Sequence, residues 1–529
     1  MPRSPARRRE GTPVTTAGGQ QRPVGPLSTA VAGLCERLTP QVSAATGTGF
    51  ADVLRRLRGP LQVAVAGRIK SGKSTLVNAL IGRRVAPTDV GECTRLVTRF
   101  SYGTVDRIEV VCVDGTKQVL PFDGQGMIPA DLGDAVGDLT KVSHLEAYLT
   151  NAVLRDLTVI DTPGLGSLDA ASVARTEHLL DGGLDPVSTD AVAGAEAVLY
   201  VVTQAVRADD QQALAAFAAA TAGRDAGPAN VIAVLNKADT VVADSVAGAD
   251  GDVWRAAELL AGRQAATLRP MVTGVLPVIG LLAESAETGR FTSADADALR
   301  ALAELDADTV GTMLMSADLF TTWDVPVPPA ARVRLLAALD LYGIRGALDA
   351  LRAEPGLATG ELRLELLAGS GLAGVRGRLD TVFRARADGI KAAAALASIT
   401  ALAHASGDPG ERQRVHDAIE VLLGKPEAHQ LRLLEALTLV TSGAVDLPED
   451  LADEVLRVGS TVDTSADLGR QLGLPDRSAT DLAGYALERA GWWRSFASFG
   501  ATPAQSRVAH VVHRTYFLLW RRLRDAGSA

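Results

Sequence analysis

The stretch Gly67-Arg-Ile-Lys-Ser-Gly-Lys-Ser-Thr75 matches the phosphate-binding pattern G-x-x-x-x-G-K-[ST] at every fixed position. A short valine-rich run precedes it at 61–66, and apolar residues at helical spacing follow it at 75–81. Strand, glycine-rich turn and helix form the context in which backbone N–H groups and a helix N-terminus face phosphates. The residues expected to line the phosphates are Gly67, Arg68, Ile69, Lys70, Ser71, Gly72, Lys73, Ser74 and Thr75.

Two side chains of this loop carry predicted chemistry. Lys73 is expected to reach the β- and γ-phosphates of a nucleotide, and the Ser74 hydroxyl is expected to bind Mg²⁺. The alternative, a glycine-rich turn that matches by chance, is disfavoured because both flanks have the required pattern. The sequence therefore predicts an α/β P-loop domain with a mostly parallel sheet flanked by helices.

Length and composition limit the remaining options. A chain of 529 residues is too long for one core, so we expect two or three domains. The net charge of -9 argues against nucleic-acid binding. Cys35, Cys93 and Cys112 have neither disulfide nor metal-ligand spacing, which favours a reduced cytoplasmic protein. No uncharged apolar run reaches the roughly 20 residues needed to span a bilayer.

The chain divides into four predicted parts. Residues 1–27 are rich in Arg, Pro, Gly and Thr and are expected to be disordered. Residues 28–58 are predicted to be a helical arm, broken at Thr46–Gly49, that packs with helices later in the chain. Residues 59–355 are the predicted nucleotide domain, and residues 356–529 are a predicted all-α bundle or stalk.

Two further segments complete a predicted Mg²⁺ site. An apolar run at 157–160 ends in Asp161-Thr-Pro-Gly164, where Asp161 would hold a water on Mg²⁺ and the Gly164 N–H would sense the γ-phosphate. In the polar segment 87–95, Thr94 is the candidate that closes on Mg²⁺, although the segment alone is equally typical of an ordinary loop threonine. The predicted metal ligands are Ser74, Thr94 and Asp161.

A fourth signature, Asn236-Lys-Ala-Asp239, follows another apolar run and concerns the base. The Asp239 carboxylate is expected to accept hydrogen bonds from N1–H and the exocyclic amine of guanine, a donor pair that adenine lacks. Asn236 would brace the loop, and the stem of Lys237 would cover the base. Near the end of the last predicted strand, Ile279 marks the loop expected to donate a backbone N–H to guanine O6.

In this order, the four signatures predict a GTPase that binds GTP or GDP with Mg²⁺, and their spacing resembles that of the dynamin superfamily. Within it, the pattern is similar to bacterial, actinobacterial-type dynamin-like proteins. Gly67 and Asp161 are 94 residues apart, more than a small Ras-like GTPase needs. The resemblance covers residues 60–285 and implies that Thr94 is the switch threonine. It also implies a large GTPase that dimerises across its nucleotide face and uses a helical stalk to tether, bend or fuse membranes.

The chain departs from its relatives around the phosphates. Leu165 follows Gly164, so the water-orienting glutamine of Ras is absent. Ile69 and Lys70 occupy positions where eukaryotic dynamins are known for Gln and Ser. Lys70 stands where guanylate-binding relatives place an internal arginine finger, and a solvent-facing lysine is the equally weighted alternative. The predicted catalytic residues are Lys70, Lys73 and Thr94.

The C-terminus is basic and aromatic. Residues 489–525 hold seven Arg and one acidic residue. A basic amphipathic helix of this kind is typical of an anionic membrane surface. We favour the alternative, a last bundle helix paired with the 28–58 arm, because such apolar stripes are mostly core. The stripe comprises Val508, Val512, Tyr516, Leu519 and Leu523.

The leading functional prediction is a dynamin-like GTPase in the cytoplasm, peripheral to the inner face of the cell membrane. Its expected partners are a second copy bound through the nucleotide face, a second dynamin-like chain and an anionic membrane, with no nucleic acid. One alternative is a Ras-like GTPase associated with ribosomes or RNA. Another is a scaffold that binds GTP without hydrolysing it.

Overall fold

The structure is a computed structural model that describes residues 25–88, 96–129, 132, 141–163, 195–220, 230–269, 271–441, 443–459, 465–475 and 477–527. Its strands are β1 Leu61–Gly67, β2 Thr98–Tyr102, β3 Arg107–Cys112, β4 Lys117–Leu120, β5 Val142–Leu149, β6 Leu157–Asp161, β7 Ala197–Val202, β8 Val231–Asn236 and β9 Val275–Val278. Its first ten helices are α1 Pro26–Leu38, α2 Ala44–Arg58, α3 Lys73–Ile81, α4 Ala208–Ala220, α5 Val253–Leu268, α6 Gly280–Glu287, α7 Ser293–Ala303, α8 Ala307–Met313, α9 Ala317–Thr322 and α10 Pro329–Ala353. The later helices are α11 Thr359–Gly369, α12 Leu372–Arg378, α13 Ala387–Ala405, α14 Pro409–Leu423, α15 His429–Thr441, α16 Glu449–Val458, α17 Ser465–Leu472, α18 Ala479–Phe499 and α19 Pro503–Gly527.

One nine-stranded sheet forms the nucleotide domain, in the order β4-β3-β5-β2-β6-β1-β7-β8-β9. The five strands from β6 to β9 in that order are parallel. Both β7 and β8 are buried along their whole length, as parallel strands covered on both faces require. Parallel strands end at the same edge, so Gly67, Asp161 and Asn236 meet there. The predicted fold class, a mostly parallel P-loop domain followed by a helical region, is confirmed.

The other half of the sheet contains a strand that the sequence analysis missed. Strand β5 lies between β3, its antiparallel neighbour, and β2, its parallel neighbour. Its buried residues are Val142, Leu145, Ala147 and Leu149. The first two buried residues are three positions apart, whereas the later ones are two apart, because the pairing of β3 with β5 shifts in register opposite Cys112. This shift interrupts the period-two alternation that identifies a strand.

The N-terminal arm differs from its predicted boundaries. Helix α1 begins at Pro26, inside the segment expected to be disordered, and Leu27 is fully buried. The predicted break at Thr46–Gly49 was wrong, because α2 runs through it and the chain turns instead at Thr39–Gln41. The side chain of Ser43 caps α2, and a Cβ added to Gly49 would lie 2.5 Å from the side chain of Leu402. Glycine therefore allows α2 to lie close against α13.

The arm packs on α13 and α14 of the helical region. The Asp388 carboxylate of α13 accepts the backbone N–H groups of Leu27 at 3.0 Å and Ser28 at 2.7 Å. It thereby caps the start of a helix about 360 residues away in sequence, at the end where the helix dipole favours a negative charge. One turn later, Lys391 Nζ lies 3.0 Å from Glu196 Oε1 at the start of β7, and both side chains are buried. This buried ion pair joins the helical region to the sheet.

Helices α18 and α19 form an antiparallel hairpin at the C-terminus. The Ser506 hydroxyl donates to the Ala497 carbonyl, and His513 Nδ1 lies 2.8 Å from the Ala490 carbonyl. The apolar stripe of α19 is buried, so the favoured interpretation as bundle core is confirmed. The predicted pairing with the arm was wrong, because α19 packs on α18, α15 and α16, whereas the arm lies on α13 and α14. No helix among the described residues is both long and apolar enough to cross a bilayer.

Candidate nucleotide site

The phosphate loop connects β1 to α3 through three residues with positive φ. Gly67 has φ 145° and its Cα lies so close to the Val201 carbonyl that a Cβ would clash with it. Gly72 has φ 88°, and a Cβ there would clash with the Asn236 amide. Lys70 is exposed and has φ 61°. Glycine is needed at both of its positions because the loop must pass between β7 and the base loop to bring its backbone N–H groups together.

Lys73 opens α3 and is buried, with its ammonium group donating to the Arg68 carbonyl at 3.0 Å. Burial lowers the pKa of Lys73, and the Asp161 carboxylate opposes this effect. The hydrogen bond to Arg68 places the ammonium group inside the loop, where a phosphate would be its natural counter-ion. Ser71 is also buried in the loop, and its hydroxyl has no hydrogen-bond partner in the part of the chain that the structure describes.

Two of the three predicted metal ligands lie together. The Ser74 hydroxyl at the start of α3 donates to Asp161 Oδ2 at 2.8 Å. Burial raises the pKa of Asp161, against the effects of Lys73 and Ser74, and Asp161 Oδ1 has no hydrogen-bond partner among the described residues. An alcohol and a carboxylate with one buried, spare oxygen are ligands that suit Mg²⁺. Thr94 and Gly164 lie outside the described residues, so their roles remain predictions.

Asn236 connects three segments at the end of β8. Its Nδ2 donates to the Ser71 carbonyl at 2.7 Å, and its Oδ1 accepts the N–H groups of Lys237 and Gly280. Lys237 is exposed in the left-handed region with φ 59°, and the half-buried Asp239 follows in a 3₁₀ turn. Burial raises the pKa of Asp239, and a hydrogen bond from its own backbone opposes this. The amide of Asn236 thus holds the base loop against the phosphate loop.

The structure does not favour the role predicted for Ile279. Its N–H donates to the Ser370 carbonyl at 2.9 Å, and the side chain is buried. The next N–H, of Gly280, is bonded to Asn236. Both groups are therefore already bonded, the first to the junction between α11 and α12 and the second to the base loop. Sequence position alone could not show that a distant segment occupies the donor.

Sequence analysis also missed two glutamines that brace the base loop. Gln204, just after β7, donates from Nε2 to the Thr240 hydroxyl at 2.9 Å. Gln264 of α5 donates to the carbonyls of Thr203 and Gln204 at 2.9 and 3.0 Å. The available signal was Gln264 itself, a polar residue at a buried helical position between Ala261 and Leu268. Buried polar side chains are satisfied by specific partners, so such a position marks a structured loop nearby.

Comparisons with known proteins agree with this arrangement. Residues 63–238 match the model of the dynamin family. The isoniazid-induced protein IniC of Mycobacterium tuberculosis is 33% identical over 443 residues, covering 83% of this chain and 85% of IniC. A bacterial dynamin-like protein of Nostoc punctiforme is 40% identical over 123 residues, covering 21% of this chain and 18% of that protein.

Among solved structures, the chain is similar to a member of an oligomerised bacterial dynamin pair described as a mechanism for long-range sensing and tethering of membranes. The TM-score is 0.31 at 12% identity, over 94% of this chain and 90% of that one. The family assignment depends on the family model and on the relative matched along most of its length. The resemblance noted in the motifs is thereby confirmed, and the chain belongs to the dynamin family, whose members are GTPases.

Proposed function

We propose that the chain binds GTP with Mg²⁺ at the C-terminal edge of its parallel strands and hydrolyses it, faster when copies associate through the nucleotide face. The observation that carries the proposal is the Ser74–Asp161 pair, which keeps one buried carboxylate oxygen unpartnered among the described residues, beside the ammonium group of Lys73. Lys73 would hold the phosphates, and Ser74 and Asp161, with Thr94, would hold Mg²⁺.

Each residue of the site has a separate task in this proposal. When bound, Mg²⁺ neutralises charge that develops between the β- and γ-phosphates. Lys73 contributes a second positive charge from inside the loop, where burial strengthens its electrostatic effect. Asp239 selects guanine, because a site with a half-buried acceptor penalises a base that lacks the pair of donors from N1–H and the 2-amino group. Equal affinities for GTP and ATP, measured by competition against a fluorescent nucleotide, would refute the choice of base.

Self-association is proposed because the loop exposes groups that a neighbouring copy could order. Lys70 is exposed, and Ile69 beside it keeps 42% of its surface exposed at the same edge. Lys70 would approach the phosphates mainly in the transition state, so Lys70→Ala should lower turnover while GTP affinity changes by less than a few-fold. Lys425→Ala removes an exposed lysine of the helical region and is the matched control.

Turnover per molecule, measured against protein concentration, tests this part of the proposal. The unmodified chain and the Lys425→Ala variant should both rise with concentration, and the Lys70→Ala variant should stay low. A flat line for the unmodified chain would refute association. Curves of equal height for all three proteins would exclude a role for Lys70.

We further propose a peripheral contact with anionic lipid at the cytoplasmic membrane face, and a second dynamin-like chain as a partner, in line with the bacterial pair described above. Support comes from the α18–α19 hairpin, where Phe499 at the tip is 91% exposed. The exposed Arg494 and Arg507 lie within about two turns of this tip, one on each helix. Exposed aromatics with arginines suit the interface of an anionic bilayer.

Co-sedimentation with vesicles of anionic or neutral lipid, with and without GTP, tests the membrane contact. Phe499→Asp should reduce binding to the anionic vesicles several-fold, since the tip would lose an apolar group and gain a repelled charge. Val421→Asp, at another exposed apolar position of the helical region, is the control and should bind normally. Equal binding of the two variants would exclude the hairpin tip as the contact.

A further inference from the structure

Asn78 is an asparagine in the middle of the apolar helix α3, and its side chain is completely buried. Its Oδ1 accepts the backbone N–H groups of Val85 at 2.9 Å and Ala86 at 2.8 Å. Its Nδ2 donates to the Ala86 carbonyl at 3.0 Å and to Glu284 Oε1 at 2.7 Å. These four bonds use the full capacity of the amide, so a single side chain fixes the segment that follows α3.

Glu284 lies on α6 and is also buried, with 1% of its side chain exposed. Arg84 Nε is 3.7 Å from Oε1, and Arg290 Nη1 is 3.5 Å from Oε2. Burial raises the pKa of Glu284, and the bond from Asn78 and the two arginines oppose this. A buried carboxylate is costly unless it is paired, so its retention here depends on these three neighbours.

Helix α6, which carries Glu284, is held in place by hydrogen bonds to the base loop and to α10. Its first residue, Gly280, donates its N–H to Asn236 at 3.0 Å, next to the base loop. On its other side, the Ser285 hydroxyl donates to the Ala338 carbonyl and Arg290 donates to the Ala337 carbonyl. The carboxylate of Glu284 is therefore presented to Asn78 from a fixed helix. A continuous set of hydrogen bonds joins the base loop, α6, α3 and the Val85–Ala86 segment.

We infer that Asn78 and Glu284 are positioning residues for GTP turnover. This inference rests on the proposed function. Helix α3 begins with Lys73 and Ser74, and Val85–Ala86 leads within ten residues of sequence to Thr94. The pair fixes the end of α3 and the start of that segment without being part of the phosphate loop or the base motif. Loss of the hydrogen bond between Asn78 and Glu284 should lower kcat and leave nucleotide affinity nearly unchanged.

A substitution pair that reverses the hydrogen bond provides the test. Asn78→Asp keeps an oxygen for the two N–H groups but places a carboxylate against Glu284 and against the Ala86 carbonyl, which both accept from Asn78. Combined with Glu284→Gln, the amide of the new glutamine donates to the new aspartate. The contact between α3 and α6 then returns with opposite polarity, and only the bond to the Ala86 carbonyl stays lost. Asn78→Asp alone should lower kcat at least about tenfold, with KM and GDP affinity within about threefold. The double variant should recover most of the lost kcat.

Glu287→Gln is the matched control. Glu287 lies on the same helix and is ion-paired with Arg376 at 2.5 Å, whereas the hydrogen bond from Asn78 goes to Glu284. Glu284 and Glu287 are both carboxylates of α6 that pair with arginine, so this substitution measures the effect of losing such a pair without losing the bond to Asn78. Its kcat should stay within about twofold of the unmodified chain, because the bonds to Val85 and Ala86 are untouched.

A second readout does not depend on catalysis. The peptide bond between Arg84 and Val85 is a trypsin site, and its N–H is the group that Asn78 holds. Cleavage of that bond, followed by mass spectrometry in excess GDP, should be several-fold faster in Asn78→Asp than in the unmodified chain. In the double variant and in Glu287→Gln the rate should be near the unmodified value. Melting curves of all four proteins identify any general loss of fold.

The outcomes separate the two proposals. No turnover by the unmodified chain would refute the proposed function and with it the role in turnover, and the proteolysis rates would then decide only whether the pair fixes the segment after α3. Normal turnover with unchanged kcat and unchanged cleavage in Asn78→Asp would overturn the inference. A lower kcat that the double variant fails to recover, together with a lower melting temperature, would also overturn it, because the pair would then serve only the fold.

Discussion

Replacing Glu454 with alanine should destabilise the C-terminal helices more than any surface substitution nearby. The buried Glu454 carboxylate of α16 accepts hydrogen bonds from Arg489 Nε at 2.9 Å, Trp493 Nε1 at 2.9 Å and the Tyr516 hydroxyl at 2.6 Å. These donors belong to α18 and α19, so one carboxylate joins three helices. Burial acts to raise the pKa of Glu454, but the bonds from Arg489, Tyr516 and Trp493 outweigh it and keep that pKa below its ordinary value.

The expected magnitude follows from the groups left behind. Alanine leaves the Arg489 guanidinium without its carboxylate, and breaking a buried ion pair by removing one partner costs about 3–5 kcal/mol. The indole N–H and the hydroxyl also lose their acceptor, at about 1–3 kcal/mol each when no water replaces it. Since these costs overlap, we expect a loss of about 4–6 kcal/mol in the free energy of unfolding of this region. Glu454→Gln keeps an acceptor oxygen and should lose less.

Tryptophan fluorescence during urea unfolding measures this effect, because Trp492, Trp493 and Trp520 all lie in the hairpin. Asp453→Ala, at the exposed neighbouring position of α16, is the control and should change the free energy by less than about 0.5 kcal/mol. Because the pKa of Glu454 is lowered in the folded state, its contribution is present above pH 4.5 and is lost as the pH falls through the folded-state value. A loss below about 1 kcal/mol for Glu454→Ala, or an equal loss for Asp453→Ala, would refute the reasoning.

Three further predictions concern the buried side chains of His429 and Lys391 and the half-buried side chain of Asp239. Burial, with Arg514 and Arg432 nearby, lowers the pKa of His429 from 6.5 to about 4, so stability should fall by up to about 3 kcal/mol as the pH drops from 6.5 to 4. His429→Gln should flatten that part of a stability curve measured by urea unfolding, and an unchanged slope would contradict the assignment. Lys391→Met leaves its buried glutamate partner without a cation and should cost about 3–5 kcal/mol in the same assay, whereas an effect below 1 kcal/mol would contradict the pairing. Asp239→Asn should weaken GTP binding by a few kcal/mol in a calorimetric titration, with ATP binding as the reference.

Much of the nucleotide site was predictable because its signals are local. The glycines at 67 and 72 are required by backbone geometry within a few residues, and the buried strands that carry Asp161 and Asn236 are continuous apolar runs. Strand β5 was not recognised, because its alternation is interrupted where it pairs with β3 across a register shift. The arm was recognised as helical, but its break was placed at the stretch that contains Gly49, the glycine that allows α2 to lie close against α13.

By itself, the sequence determined the phosphate loop, the order of the motifs, the family and the helical character of the second half, since periodicity and backbone preference act over short distances. Only the tertiary structure decided which distant groups meet. The N–H of Ile279 is occupied by the carbonyl of Ser370, α1 is capped by Asp388, and Asn78 is joined to Glu284. Each contact depends on how helices from different parts of the chain pack on one sheet, and burial then requires every polar group to find a partner, wherever in the sequence that partner lies.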